Sequence, residues 1–409
     1  MLESNMKVTA RQKNILNILN YILLNEKVSA INIAKWTNLS VATVSRIFNI
    51  LDSQKIIVRA SKGSNGMGRN PEIISLNPTY GYYLHFYTRT ENIVGYLLDF
   101  SGNVIATENH IITRDIKADD FVHCLYKLAR DLTKAEKIDY KKLIATNIAI
   151  PGLVDDTKKV IRRIPNFENM RNINLLNIAS DGLKLPVKIM NRARTCAIGE
   201  YIHLYPKYKN LVYIDFTSFS GIGAGIVIDG KLYTGKNGFA GEIGDMIVDI
   251  SDFDKNLIND AGCLEVQAGI GILYQRLKTL MSKGRARHLK EIMQNAGVEE
   301  LNLDILEKAI NEMDYDVIDT FNDIVKRWAA AIINIIILTN PDLIVLGGVL
   351  DKRYEFILTR LKHYIGKILY YDVNIRLKEE EFKSHIMGGI FILKKYALNN
   401  TLKDLILTL

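Results

Sequence analysis

The opening stretch of the chain alternates apolar and polar positions with a helical period. Ile15, Ile18, Leu19, Ile22 and Leu23 fall at the i, i+3, i+4, i+7, i+8 spacing that lines one helix face, and Thr9 stands where an N-cap belongs. Ser29 is placed to cap a short second helix through Ile33, Ala34 and Trp36. After the polar turn Thr37-Asn38-Leu39, Ser40 can cap a third helix with Val41, Val44, Ile47, Phe48 and Leu51 facing inward. Its opposite face carries Ala42, Thr43, Ser45, Arg46 and Asn49, side chains small or polar enough to enter a major groove. Two β-forming runs, 56–58 and 73–76, then bracket a glycine-rich segment, 61–71, that contains Lys62 and Arg69. Three helices followed by a hairpin with a basic tip predict a winged helix-turn-helix. Ser40, Ala42, Thr43, Ser45, Arg46 and Asn49 are then the groove-reading candidates, with Lys62 and Arg69 as wing contacts to double-stranded DNA.

From Tyr80 the period shortens to two. Strands are predicted at 82–87, 93–98 and 104–108, with Ser101-Gly102-Asn103 as a turn, then a helix near 120–132 and a strand at 145–150. The order recurs: strands at 211–216, 223–228 and 231–233 with Asp229-Gly230 as a turn, helices over most of 264–340, and a strand at 343–346. Three strands, helix, strand, twice over, predict an α/β protein of two related lobes with a cleft between them. The expected boundaries are 1–76 for the DNA-binding head, 77–190 for the first lobe and 191–389 for the second, with a last helix near 390–409 returning to the first lobe.

Charge sharpens this reading. Residues 1–76 hold ten Lys and Arg against four Asp and Glu, so +6 of the chain's net +8 lies in the head. A cationic head on a nearly neutral body suits a polyanion, although a merely solubilising surface fits the same count. The three cysteines, Cys124, Cys196 and Cys263, make neither a disulfide framework nor a CxxC pair, which fits a reducing cytoplasm. The most apolar stretch, 328–338, is too short to span a bilayer, and the N-terminus has no secretory pattern, so a cytoplasmic protein without membrane contact is expected.

Several short motifs stand in order along the body. They are Pro151-Gly152-Leu153-Val154-Asp155, Ser220-Gly221-Ile222-Gly223-Ala224-Gly225, Ala240-Gly241-Glu242-Ile243-Gly244, Gly262-Cys263-Leu264-Glu265 and Asn340-Pro341-Asp342 leading to Gly347-Gly348. Together with Gly66-Met67-Gly68-Arg69-Asn70-Pro71 in the wing, they resemble the ROK family of bacterial sugar-responsive repressors and sugar kinases, over nearly the whole chain. The resemblance implies a winged head of the repressor branch followed by the actin-like, hexokinase-like ATPase fold.

The departures from the family pattern bear on chemistry. Where its kinases begin the first lobe with Asp-x-Gly-x-Thr, this chain has Leu84-His85-Phe86-Tyr87-Thr88-Arg89, and Phe219 replaces the leading glycine of the second-lobe loop. Where the catalytic aspartate of Asn-Asp-x-Asn is expected, the chain reads Asn191-Arg192-Ala193-Arg194, and an arginine cannot take a proton from a sugar hydroxyl. The family's zinc ligands are reduced to Cys263, with Asn256, Ile258 and Asp245 at the other positions. No enzyme activity, metal or cofactor is therefore expected. By resemblance, an effector would meet Asn191, Arg192, Arg194, Glu242, Asp245 and Glu265. Either Arg192 pairs with Asp245 and fills the pocket, or the arginines greet a sugar phosphate or sugar acid, or a neutral sugar is still held by the remaining polar contacts. The expectation is a homodimeric or homotetrameric repressor of carbohydrate genes that binds a palindromic operator under control of a sugar-derived effector in the cleft. An atypical ROK sugar kinase, and a DNA-binding factor with an empty, effector-independent cleft, are the alternatives.

Overall fold

Each helix of the head starts at a hydroxyl group. In the computed structural model, which describes residues 9–25, 27–60, 72–164, 167, 169–217, 221–251 and 263–400, Thr9 Oγ1 accepts from Gln12 N while Gln12 Oε1 accepts from Thr9 N, a complete capping box for α1 (Ala10–Leu24). A two-residue strand, β1 (Val28–Ser29), follows. Ser29 caps α2 (Ala30–Thr37), which ends at Asn38 in the left-handed conformation, and Ser40 caps α3 (Val41–Ser53). Ile15, Ile18, Leu19, Ile33, Val44, Ile47, Phe48 and Leu51 are buried, as their spacing predicts. Val41 is not: as the first residue of α3 it lies past the end of the packed face and is 46% exposed. Trp36 is also half-exposed and leans on the Tyr21 ring. β2 (Ile57–Ala60) and β3 (Ile73–Leu76) form the antiparallel stem of the hairpin, and β1 adds to β3 as a third strand.

The chain divides into two units, one of Met1–Ile150, Lys159–Met190 and His385–Leu409, the other of Pro151–Lys158 and Asn191–Ser384. After the head, the first unit contains β4 (Tyr82–Thr88), β5 (Asn92–Asp99), β6 (Val104–Ile111), α4 (Ala118–Ala135) and β7 (Leu143–Ile150). β8 (Leu153–Asp155) belongs to the second unit. β9 (Val160–Arg163), α5 (Leu175–Leu183) and β10 (Val187–Asn191) resume the first. The sheet order is β10-β7-β4-β5-β6, with β4 antiparallel to β5 and parallel to β7. α4 packs on β5 and β6.

The second unit runs α6 (Arg192–Leu204), β11 (Leu211–Phe216), β12 (Ile222–Ile228), β13 (Lys231–Tyr233), α7 (Cys263–Ala268), α8 (Ile270–Ser282), α9 (Arg287–Ala296), α10 (Leu303–Asn311), α11 (Tyr315–Thr339), β14 (Leu343–Gly348), α12 (Glu355–Gly366) and β15 (Ile375–Leu377). Its sheet order is β13-β12-β11-β14-β15, with β11 antiparallel to β12 and parallel to β14. Counted within each unit, both sheets read third, second, first, fourth, fifth, so the repeat seen in the sequence is a repeat of topology. The alternate residues Val212, Ile214 and Phe216 of β11 and Ile344 and Leu346 of β14 share a core with Phe321, Ile324, Val325, Trp328 and Ile332 of α11. α6 also packs on β11 and β12.

The last helix, α13 (Ser384–Asn399), starts earlier than the sequence suggested, and residues 401–409 lie outside the described ones. Its Gly389 backs onto the His85 ring of β4, where a Cβ would collide. No helix among the described residues is long and apolar enough to cross a membrane.

Candidate functional site

The exposed face of α3 is the first candidate surface. Ala42, Ser45, Arg46 and Asn49 are exposed along it, Ser40 is exposed at its cap and Thr43 is half-buried. Ser40 Oγ accepts from Thr43 N at 3.1 Å and lies 2.8 Å from Thr43 Oγ1, so these two hydroxyls already serve the helix start. Asn49 Oδ1 accepts from Arg59 Nη2 at 2.6 Å. Arg59 is a residue that sequence reasoning counted only as charge. Lys62 and Arg69 lie outside the described residues.

The second candidate is built at the start of α6. The strand β10 ends at Asn191, and the helix begins at once, with Asn191 Oδ1 accepting from Arg194 N at 3.3 Å. The Asn191 amide nitrogen donates to Gly152 O at 2.9 Å. The two arginines of the first turn are thereby turned into the protein rather than out of it.

Arg192 is 7% exposed and Asp215, at the end of β11, 3%. Arg192 Nη2 and Nε both donate to Asp215 Oδ2, at 2.8 and 3.2 Å, while Asp215 Oδ1 has no hydrogen-bond partner. Arg194 is 2% exposed; it donates to Asp156 Oδ2 at 3.3 Å, to the Gly238 carbonyl and to the Ala240 carbonyl at 3.3 Å. Burial lowers the Arg194 pKa from its ordinary value, against the pull of Asp156 and Glu242. Burial likewise raises the Asp156 carboxyl, against Arg194. A pair with Asp245 was one of the alternatives the sequence left open for Arg192; its ion pair is with Asp215, and Asp245 is exposed.

Of the remaining residues, Glu242 is half-buried and electrostatically coupled to Arg194, and Glu265 is buried at the start of α7. Gly244 sits so close to Glu265 that a Cβ would lie 2.7 Å from Glu265 Oε2. Gly241 holds φ +92°, and its carbonyl accepts from Ala224 N at 2.7 Å. All six expected effector residues therefore fall in the second unit. Asp215 and Asp156, which hold the two arginines, escaped sequence reasoning because each lies more than twenty positions from its partner, with no local pattern linking them. Among the described residues no group of three or more His, Cys, Asp or Glu could hold a metal, and Asn256 and Ile258 lie outside them. Phe219 and Ser220 are likewise outside.

In the first unit, the run that stands in place of a kinase phosphate motif is closed by ring packing. His85 is fully buried, takes a 3.1 Å contact from the Asn147 amide at Nδ1 and has no partner at Nε2. Burial drives its pKa from 6.5 to about 4, so the ring is neutral. Tyr96 and His385 stack about it, with Tyr96 Oη 3.1 Å from His385 Nε2.

Residues 90–394 match the model of the ROK family. The chain belongs to the ROK family. Within it, this ROK protein is 26% identical over 385 residues to the putative xylose repressor of Caldicellulosiruptor sp. (strain Rt8B.4), an alignment covering 93% of this chain and 95% of that protein. Among solved structures it resembles a ROK transcriptional regulator described as a homolog of the E. coli MLC protein, with TM-score 0.74 and 22% identity, over 97% of this chain and 99% of that one. It also resembles a ROK glucokinase from Streptomyces griseus, solved with glucose and AMPPNP, with TM-score 0.64 and 20% identity. That match covers 77% of this ROK chain and 100% of the kinase. These likenesses give the ROK protein the hexokinase-like fold.

Proposed function

We propose that the chain is a sugar-responsive transcriptional repressor of carbohydrate-metabolism genes, acting as a homodimer or homotetramer on a palindromic operator. The observation that carries this is coverage. A repressor and a regulator structure align with nearly the entire chain, whereas a full-length kinase leaves about a quarter of it unmatched. The DNA-binding head is assigned to 1–76 and the two lobes to 77–150 with 159–190 and 385–409, and to 151–158 with 191–384, with the α3 face and the wing residues Lys62 and Arg69 on DNA. Arg46 is the groove-reading cation.

Arg192 supports a non-enzymatic reading. The position carries a permanently protonated group that is itself ion-paired, so it has no lone pair to accept a proton from a substrate hydroxyl. The effector is assigned to Asn191, Arg192, Arg194, Glu242, Asp245 and Glu265, with the acids accepting from sugar hydroxyls. Because Arg192 and Arg194 already hold Asp215 and Asp156, a neutral sugar is favoured over a phosphate or a sugar acid.

The test uses the full chain and a duplex it selects from a random library. Xylose, glucose, their phosphates and their acids are each titrated into the complex, with ATP turnover followed in parallel. Release by a neutral sugar without ADP formation is expected. Sugar-dependent ADP formation would overturn the repressor reading. Release only by charged sugars, abolished in Arg192→Ala, would reassign the effector as an anion.

A further inference from the structure

Arg59 stands on β2, the strand that leads into the wing, and its guanidinium gathers three side chains. Nε donates to Asp52 Oδ2 at 2.9 Å, Nη1 to Glu72 Oε1 and Oε2 at 3.1 and 3.0 Å, and Nη2 to Asn49 Oδ1 at 2.6 Å. Asn49 and Asp52 belong to α3, and Glu72 immediately precedes β3. One side chain therefore ties the recognition helix to both stems of the hairpin. The register pairs Arg59 with Ile74, which makes Glu72 its diagonal neighbour on the same face of the ribbon. With side chains 29%, 44% and 48% exposed for Arg59, Asp52 and Glu72, the ion pairs add little to stability. What they supply is geometry.

That geometry fixes a polarity. A guanidinium only donates hydrogen bonds, so the Asn49 atom it meets has to be the carbonyl oxygen, and the amide nitrogen is turned the other way. An asparagine that reads adenine uses both, the oxygen for the N6 amino group and the nitrogen for N7.

We propose that Arg59 is the positioning residue of the DNA interface: it sets the wing stem against α3 and, by holding the Asn49 carbonyl oxygen, turns the amide N–H groups outward as the donors offered to DNA. The matching group on the duplex is an acceptor, a purine N7, guanine O6, thymine O4 or a phosphate oxygen, and not the two-point edge of adenine. The same guanidinium neutralises Asp52 and Glu72, two carboxylates that would otherwise oppose a phosphate backbone. This assignment rests on the DNA-binding function proposed above.

The experiment measures affinity of the full-length chain for the duplex it selects from a random library and for a scrambled duplex of equal length. Arg59→Lys keeps a cation for the two acids, but one ammonium cannot span all three partners. It is expected to bind the scrambled duplex within about twofold of wild type and to lose on the order of 10-fold on the selected one. Asn49→Ala should lose a similar factor, and Asn49→Ala combined with Arg59→Lys should lose no more than either alone. Asn49→Asp leaves the head's other partners in place and removes the outward N–H, so it should bind the selected duplex no better than Asn49→Ala. Arg59→Lys with unchanged discrimination, losses that multiply in the double variant, or Asn49→Asp at wild-type affinity would each overturn the positioning role. A wild-type chain that enriches no sequence would remove the DNA-binding function and the role of Arg59 with it. Enrichment by wild type with Arg59→Lys unaffected would remove the second alone.

Discussion

Asp215→Ala isolates the energetics of the buried pair at the start of α6. The substitution leaves the Arg192 guanidinium 7% exposed with its 2.8 and 3.2 Å contacts to Asp215 gone. Removing one partner of a buried ion pair costs roughly 3–5 kcal/mol, because the surviving charge stays desolvated. Against a total stability of about 5–15 kcal/mol, that is a large fraction. For a unit of this size each kcal/mol moves the midpoint by roughly 2–4 °C, so a fall of about 6–20 °C is expected for the transition of the second unit. The pair itself is worth far less than its breakage. Both nitrogens share one carboxylate oxygen, and Asp215 Oδ1 is left without a partner, so the attraction barely offsets desolvation of both groups. Replacing both residues, Arg192→Met with Asp215→Leu, should therefore restore stability to within about 1 kcal/mol of wild type. Urea titrations of wild type, Arg192→Met, Asp215→Leu and the double variant give the coupling energy directly. A cost below about 1 kcal/mol for Asp215→Ala, or a double variant as unstable as the two single changes summed, would refute the argument.

Two further outcomes follow from burial and backbone. His85 is neutral in the fold with a pKa of about 4, whereas the unfolded chain protonates near 6.5, so the unfolded state takes up the extra proton as pH falls and stability is lost. Between pH 7 and pH 5 this group should remove about 2 kcal/mol, a slope that His85→Gln lacks; identical pH profiles for the two proteins would contradict it. Gly241→Ala should cost at least about 2 kcal/mol, since φ is +92° and the added methyl meets the Ala224 carbonyl; a melt within 2 °C of wild type would show that the loop yields.

The head was legible because its signals are local. Thr9, Ser29 and Ser40 lie three residues from the amides they cap, and the apolar spacing needs only one helix to be read. Val41 fitted the same spacing and still failed, since periodicity carries no information about where a packed face ends. Strands β4–β7 and β11–β14 were legible for the same reason, whereas β8, β9, β10 and β15 were not read from the sequence, and β1, at two residues, was too short to leave a pattern. The site at α6 shows the limit. Sequence reasoning found Arg192 and Arg194 as departures from a motif but not Asp215 or Asp156, because strand ends and loops meet only after the sheet has formed. His85 was visible as a residue out of place and silent about its surroundings, which come from Asn147 and from a helix some 300 positions downstream.

The helix that backs onto His85 follows the whole second unit along the chain. Residues 191–384 complete the second unit before α13 is translated, whereas the first unit, although begun at the N-terminus, waits for its closing helix. On the ribosome the later-starting half can therefore mature first, and the earlier strands must remain without their cover until α13 emerges. A nonsense mutation near codon 384 would strip β4 of its lining while sparing every residue of the sheet.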